Sequence, residues 1–159
     1  MTSGLDATFG PLPGLPDPDR ERQFYAGVQS RRLVAWVIDV AAILAIGVPL
    51  ALVFGLMTLG FGLALFPAIV LGVGLVYRTA TIANASATWG MRAMGIELRR
   101  GDGSRFDLVT AFLHTAIYSV CFGVLLLQAA SVVAMLSTRY GQGFPDIVLR
   151  TAMINRPED

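Results

Sequence analysis

Two long apolar blocks with very few ionisable side chains constrain this chain more than any other feature. In residues 33–77 the ionisable groups are Asp39 and the phenol of Tyr77. Residues 108–138 contain three ionisable groups, namely His114, Tyr118 and Cys121. A membrane-spanning helix needs about 20 consecutive, mainly apolar residues. The first block is long enough for two such helices and a turn, so the sequence predicts an integral membrane protein that contacts the lipid bilayer.

Composition excludes several other classes of protein. The chain has 159 residues, of which 55% are hydrophobic and 14% charged, whereas soluble domains carry about 25% charged residues. The net charge of +1 gives no electrostatic basis for binding nucleic acid. The single cysteine, Cys121, excludes an intramolecular disulfide and a cysteine-based zinc site. One histidine with scattered carboxylates lacks metal-ligand spacing, so we predict no metal and no cofactor.

No enzyme motif is present in the sequence. The one histidine and the one cysteine lie in the same apolar block and define no nucleophile, base and orienting group. All 12 basic residues are arginine, which excludes a lysine Schiff base. No glycine loop followed by lysine is present to bind phosphate. We therefore predict that the protein is not an enzyme.

The first apolar block predicts a helical hairpin, with spans over residues 33–54 and 61–77. Each span contains a proline, Pro49 or Pro67, which neighbouring helices can tolerate in a membrane. Small residues recur at every fourth position, and such faces allow close helix packing. The alternative is apolar filler rich in Ala and Gly. The recurring residues are Gly47, Ala51 and Gly55 in the first span, and Ala64, Ala68 and Gly72 in the second.

The other segments are polar or of intermediate length. Residues 1–25 contain four prolines within eight residues and predict a disordered tail, or alternatively a peptide ligand for a partner. Residues 88–94 predict a short interfacial helix, and "GIELRR" before Asp102 and Gly103 predicts a small β-hairpin. The third span, residues 108–137, is either one long tilted helix or a re-entrant pair that turns near Gly123.

The arginines predict the orientation of these spans. Four arginines precede the first span, five follow the second, and the turn between the two spans carries no charge. The positive-inside rule then places the N-terminus and the polar hairpin in the cytoplasm. Three arginines in the C-terminal segment favour the cytoplasm as well, which supports the re-entrant alternative. The predicted fold is an all-α membrane protein with a helical hairpin, a third long or re-entrant helix and a small cytoplasmic β-hairpin.

Three segments resemble the RDD family of bacterial membrane proteins, which is named for one arginine and two aspartates. They are "AGVQSRRLVAWVIDV", "SATWGMRAMGIELRRGDGSRFDL" and "YGQGFPDIVLRTAMI", and they come in the order and approximate spacing of the family. The resemblance covers residues 26–155, and it implies a membrane domain in the inner membrane of a bacterium. A transport role has been suggested for the family, and the resemblance implies no more about function.

The resemblance also implies which residues form the signature. The arginine is Arg32, and the aspartates are Asp39 in the first helix and Asp146 after the last apolar block. The family element T-x-G-K corresponds to residues 88–91, in which Met91 replaces the usual lysine. The accessory candidates are Thr88, Gly90, His114 and Arg92, which neighbours Met91. His114 occupies a position where arginine is common in the family, and Pro145 occupies one where histidine is common.

Asp39 is the most informative candidate, because a charged side chain inside a membrane span must face protein or water. Arg32 precedes it by seven residues, about 10 Å along the same helix face. Three interpretations are open. The pair is a buried polar clamp that orders the helices, Asp39 is a cation or proton site, or Arg32 contacts a small ligand or a lipid headgroup.

His114 and Asp146 each carry an alternative. His114 either hydrogen-bonds a neighbour or relays protons to Asp39. Asp146 either caps a helix or turn, or pairs with a cytoplasmic arginine such as Arg32. Two function classes remain: a component of ion or small-solute transport that acts as an oligomer, and a non-catalytic accessory protein that binds or organises membrane partners.

Overall fold

The computed structural model describes residues 10–157. These residues form two membrane-length helices, a bent pair of apolar helices, two short helices and a two-stranded sheet. The elements are α1 (Val28–Met57), α2 (Phe66–Ala85), α3 (Trp89–Ala93), β1 (Ile96–Arg100), α4 (Leu108–Gly123), α5 (Leu125–Ser137), α6 (Phe144–Leu149) and β2 (Thr151–Asn155), with 3₁₀ helices at Arg22–Phe24 and Phe61–Leu65.

The predicted transmembrane hairpin is present as α1 and α2. Both helices are long and apolar enough to cross a membrane, and most of their large apolar side chains are exposed. In a bilayer those side chains would face lipid, which is as apolar as they are. The short helix predicted over residues 88–94 is α3, which begins after Thr88. The all-α membrane fold is therefore confirmed.

Only one of the two predicted small-residue faces lies in the interface between α1 and α2. Gly47, Ala51 and Gly55 of α1 are buried, but Ala64, Ala68 and Gly72 are exposed, so the prediction for the second span is wrong. The α1-facing side of α2 instead carries Val70, which packs on Gly47, and Gly74, which packs on Ile43. Tyr77 and Arg78 lie on this same side of α2 and reach Asp39, which sets the rotation of the helix.

The third apolar block is a bent pair rather than one straight helix. The helix axis bends by 118° between α4 and α5, at a break at Val124. The 16 residues of α4 and the 13 residues of α5 extend about 24 Å and 20 Å, each short of the ~30 Å hydrocarbon core. The predicted alternative of a turn near Gly123 is therefore the one observed.

The two-stranded antiparallel sheet is present, but its second strand comes from a distant segment. β1 pairs with β2 in the register Leu98 to Met153, not with a strand that follows Asp102. The turn expected there does form, because Gly103 donates its N–H to the carbonyl of Arg100. The chain leaves this turn for α4, whose N-cap is Asp107, so no local partner strand is available.

Residues 10–25 do not form the free tail expected from their prolines, while residues 1–9 lie outside the described part. Leu12 and Leu15 are buried against Tyr140 and Ala152. Gly14 donates its N–H to the carbonyl of Gly101 at 2.9 Å. A Cβ on Gly14 would lie 2.0 Å from the carbonyl carbon of Asp102, so only glycine fits this contact. Two leucines between the prolines thus give the segment an apolar anchor.

Candidate functional site

The carboxylate of Asp39 is completely buried and accepts hydrogen bonds from α2 and α3. Tyr77 donates its phenol to Oδ1 at 2.8 Å, and Gly90 donates its backbone N–H to the same oxygen at 2.9 Å. Thr88 donates its hydroxyl to Oδ2 at 2.6 Å. The guanidinium of Arg78 lies 3.9 Å from Oδ2. Asp39 therefore joins three helices through donors that the chain itself supplies.

The start of α3 is built around this carboxylate. Thr88 is the N-cap residue and its hydroxyl also accepts the N–H of Met91 at 3.2 Å. Tyr77 accepts the N–H of Trp89 at 3.2 Å through its phenolic oxygen. The first three N–H groups of α3 are therefore paired, as helix N-termini require. The "T-W-G-M" element of the sequence is thus a cap that docks on α1.

Gly90→Ala is expected to destabilise the protein by about 1–3 kcal/mol, as overpacking of a dense interior does. An added Cβ would lie 2.2 Å from the carbonyl oxygen of Ala35 and 2.8 Å from Asp39 Oδ1. The matched control is Gly72→Ala, because a Cβ there meets nothing within 4 Å. The thermal midpoint of the detergent-solubilised protein measures both. Equal midpoints for the two variants would show that α3 does not dock closely on α1.

The carboxylate of Asp146, at the start of α6, forms a second buried cluster. Arg32 donates from Nη1 to Oδ2 at 3.0 Å, and Gly143 donates its N–H to the same oxygen at 3.2 Å. His114 Nε2 lies 3.0 Å from Oδ1, and Thr151 donates its hydroxyl to Oδ1 at 3.1 Å. Because a carboxylate only accepts, His114 carries its proton on Nε2 in this arrangement.

The charges around Asp146 decide its ionisation. Burial raises the pKa of this carboxyl, but the Arg32 guanidinium and the hydrogen bond from His114 lower it more, so the pKa lies well below its usual range. Asp146 is therefore ionised at neutral pH and forms a buried ion pair with Arg32.

The predicted signature residues thus separate into two clusters. Asp39 contacts neither Arg32 nor His114; it meets Thr88 and Gly90, whereas Arg32 and His114 both meet Asp146. The predicted interpretation of Asp146 as the partner of Arg32 matches this geometry, and the relay from His114 to Asp39 does not.

The side chain of Arg92 is exposed and forms no hydrogen bond or ion pair with residues 10–157. Within these residues no group of three or more His, Cys, Asp or Glu side chains is placed to hold a metal.

Sequence reasoning missed Tyr77 and Arg78 as partners of Asp39. A signal for them was available, because Tyr77 ends the second predicted span, Arg78 follows it, and Asp39 lies near the start of the first span. In an antiparallel hairpin these two positions reach the same depth in the membrane. Arg78 also lies over the ring of Tyr118, with 4.2 Å between its Cζ and the ring centroid. This contact links the Asp39 cluster to α4.

A cavity of about 460 Å³ lies between α1 and the bent pair α4 and α5. Its polar end is formed by Gln29, Arg32 and Asp146 with His114, and Asp39 and Arg78 also line it. Its other wall is apolar and includes Leu33, Phe122 and Leu136, which are exposed on the outer surface of the helices. The cavity therefore opens at the lipid-facing side, and its size is typical of small-molecule sites.

Comparison with known proteins gives one clear relationship. The model of the RDD family matches residues 25–150, which is most of the chain. No curated protein and no solved structure matches. The family match covers α1 to α6, including both buried aspartates and Arg32. The chain therefore belongs to the RDD family.

Proposed function

We propose that this protein is a non-catalytic solute-binding component of a membrane transport system, in which the cavity between α1 and the bent pair is the binding site. The observation that carries the proposal is the charged end of this cavity. Two arginines, two aspartates and one histidine line a cavity that opens between apolar helices, namely Arg32, Arg78, Asp39, Asp146 and His114. Ionisable groups inside membrane domains mark solute and ion pathways in many transporters.

The number of spans supports action as an oligomer. Two helices are long enough to cross the membrane, and the bent pair adds at most one more span. A pathway across the bilayer needs walls on all sides, and two or three helices enclose none. Further copies of this chain, or another membrane protein, would complete it.

Filling the cavity is expected to block transport. Val132→Trp places an indole on the cavity wall, whereas Val133→Trp makes the same change at the next residue of α5, outside the cavity lining. We expect proteoliposomes to move at least one of four probes, sodium, potassium, phosphate or a fluorescent anionic lipid, at least fivefold faster than empty vesicles. Val132→Trp should lower that rate at least fivefold, and Val133→Trp should change it less than twofold.

An accessory role is the second candidate, and the saturation of both carboxylates favours it. Asp39 accepts three hydrogen bonds and Asp146 four, all from protein donors. Such groups order helices and have little capacity left for a cation. This second role would be favoured over transport if the protein is monodisperse but proteoliposomes move all four probes no faster than empty vesicles do.

We also propose that the protein resides in a bacterial inner membrane with its N-terminus in the cytoplasm. Two contacts support a common side for both ends of the described chain. β1 pairs with β2, and Arg32, just before the apolar part of α1, pairs with Asp146. The segments that carry most of the arginines then share one side, as the positive-inside rule favours.

Cysteine labelling in intact cells tests this orientation. In a Cys121→Ala background, Leu59→Cys lies in the turn between α1 and α2, and Ser137→Cys lies at the end of α5; both positions are exposed. A membrane-impermeant maleimide is expected to label Leu59→Cys and to leave Ser137→Cys unlabelled until the cells are opened. Labelling of Ser137→Cys from outside would contradict the common side.

A further inference from the structure

The guanidinium of Arg32 has one edge paired and one edge without a protein partner. Nη1 donates to Asp146. Nε and Nη2 are buried and have no hydrogen-bond partner among residues 10–157. These two nitrogens form one side of the planar guanidinium, which presents parallel N–H groups. That edge matches two oxygens of a carboxylate or a phosphate.

The unpaired hydrogen-bonding capacity of the cavity is concentrated at this point. The described residues have five buried side-chain polar atoms without a partner, and three of them belong to the lining residues Gln29 and Arg32. Both aspartates on the wall are already saturated by protein donors. The charged group still able to bind is therefore a cation edge, which selects an anion over a cation. Gln29 Oε1, three residues before Arg32, would accept a hydroxyl beside that anion.

The rest of the cavity is apolar and opens to the lipid side. Leu33 is 65% exposed and Leu136 is 71% exposed, although both line the cavity. Trp36 also lines the cavity, and its indole N–H is already donated to the Tyr118 hydroxyl at 2.8 Å. The cavity wall near Trp36 thus offers contact surface to an apolar chain and no free donor from that indole.

We infer that the cavity binds a single-chain anionic amphiphile, with its carboxylate or phosphate head on the Nε and Nη2 edge of Arg32 and its chain along the apolar wall. The inference rests on the proposed binding role of the same cavity and names the class of its ligand. A water-soluble anion would leave the apolar wall uncovered, and an uncharged lipid would leave the Arg32 edge unpaired. Only a molecule with both parts matches the whole cavity.

Quenching of Trp36 fluorescence tests this ligand class. The chain has two tryptophans, so Trp89→Phe leaves Trp36 as the single reporter in the cavity. Three probes share one brominated alkyl chain and end in a carboxylate, a phosphate or a hydroxyl group. We expect at least one anionic probe to quench Trp36 saturably, with a Kd at least tenfold lower than that of the alcohol. A lower Kd for the carboxylate probe would indicate a fatty acid as the ligand, and a lower Kd for the phosphate probe would indicate a lipid phosphate.

Two sets of controls separate binding from partition into the detergent. Trp36→Phe leaves Trp89, which does not line the cavity, and its quenching should not distinguish the three heads. Arg32→Lys keeps the charge beside Asp146 but loses the guanidinium edge, so we expect at least fivefold weaker binding of the anionic probe. Arg31→Lys, an exposed neighbour whose Nη1 donates to Asn155, should change binding less than twofold.

The head-group comparison uses an unchanged Arg32 cluster, so it remains decisive if Arg32→Lys fails to fold. Equal Kd values for the alcohol and both anionic probes would overturn the inference. Displacement of the bound probe by millimolar inorganic phosphate or acetate, as effectively as by an unbrominated fatty acid, would also overturn it. The binding and flux measurements are independent. If the protein binds the anionic probes selectively but moves no probe across the membrane, the transport role is rejected and the ligand class stands. If it moves a probe but does not distinguish the head groups, the ligand class is rejected and the transport role stands.

Discussion

Asp146→Asn is expected to destabilise the folded protein by about 3–5 kcal/mol, because it leaves the guanidinium of Arg32 buried beside a neutral group. Asp146 is 3% exposed, and its carboxylate is in contact with four donors from four parts of the chain. An amide in its place has one acceptor oxygen and directs an NH₂ group toward some of those donors. Denaturant or thermal midpoints of the detergent-solubilised protein measure the difference.

The matched control is Asp107→Asn, which alters an ion pair with Arg100 at the surface. Its carboxylate is 58% exposed, and such pairs contribute about 0–1 kcal/mol. Asparagine still caps α4, so a change of less than about 1 kcal/mol is expected. Similar losses for the two variants would show that the Asp146 cluster is no more important than a surface pair.

The pH dependence of the Asp146→Asn effect follows from the lowered pKa of Asp146. A carboxyl whose pKa is lower in the folded state stabilises the protein above its unfolded pKa of about 3.9. That contribution declines as the pH falls toward the folded pKa. The difference in stability between the wild type and Asp146→Asn should therefore become smaller below about pH 4.

Asp39→Ala is expected to cost at least about 2 kcal/mol, since it leaves several buried donors without an acceptor and each such group costs about 1–3 kcal/mol. Tyr77, Thr88 and Gly90 all lose their carboxylate partner. Tyr77→Phe removes one donor to Asp39 and also the acceptor of the Trp89 N–H, but it leaves the carboxylate in place. A smaller loss than that of Asp39→Ala, about 1–2 kcal/mol, is therefore expected. The same unfolding midpoints report both changes.

Asp39→Asn separates a structural role for this residue from a role in ion movement. The amide retains one acceptor oxygen, so its stability should lie between those of the wild type and Asp39→Ala. Loss of stability in parallel with any loss of flux supports the buried clamp that ties α2 and α3 to α1. Unchanged stability together with abolished ion flux would instead assign Asp39 to a cation or proton site.

Several features of the fold were predictable because they depend on local composition. The absence of charge over residues 33–77, apart from Asp39 and Tyr77, requires a membrane environment whatever the rest of the chain does. The short helix that begins after Thr88 is likewise local, as is the break near Gly123, which was one of the two predicted alternatives for the third span. The pairing of Arg32 with Asp146 was one of the predicted alternatives, because the family signature names both residues.

Features that depend on which segments meet were not predictable in the same way. "GIELRR" predicts a strand, but its partner lies about 55 residues later, because α4 to α6 return the chain to the same side. The small-residue stripe of α2 points outward, because the hydrogen bond from Tyr77 to Asp39 sets the rotation of that helix.

The sequence by itself determined that the protein is a small membrane protein of the RDD type with an Arg-Asp-Asp signature. Hydrophobicity and charge are properties of each segment, and they are visible before any segment meets another. Only the tertiary structure decided that the signature forms two separate clusters, and that Arg32 keeps one edge of its guanidinium free at the end of a cavity. The physical reason is that hydrogen-bond partners depend on how the helices pack. The bend between α4 and α5 brings His114 and Asp146 to Arg32. Asp39 instead accepts hydrogen bonds from Tyr77, Thr88 and Gly90.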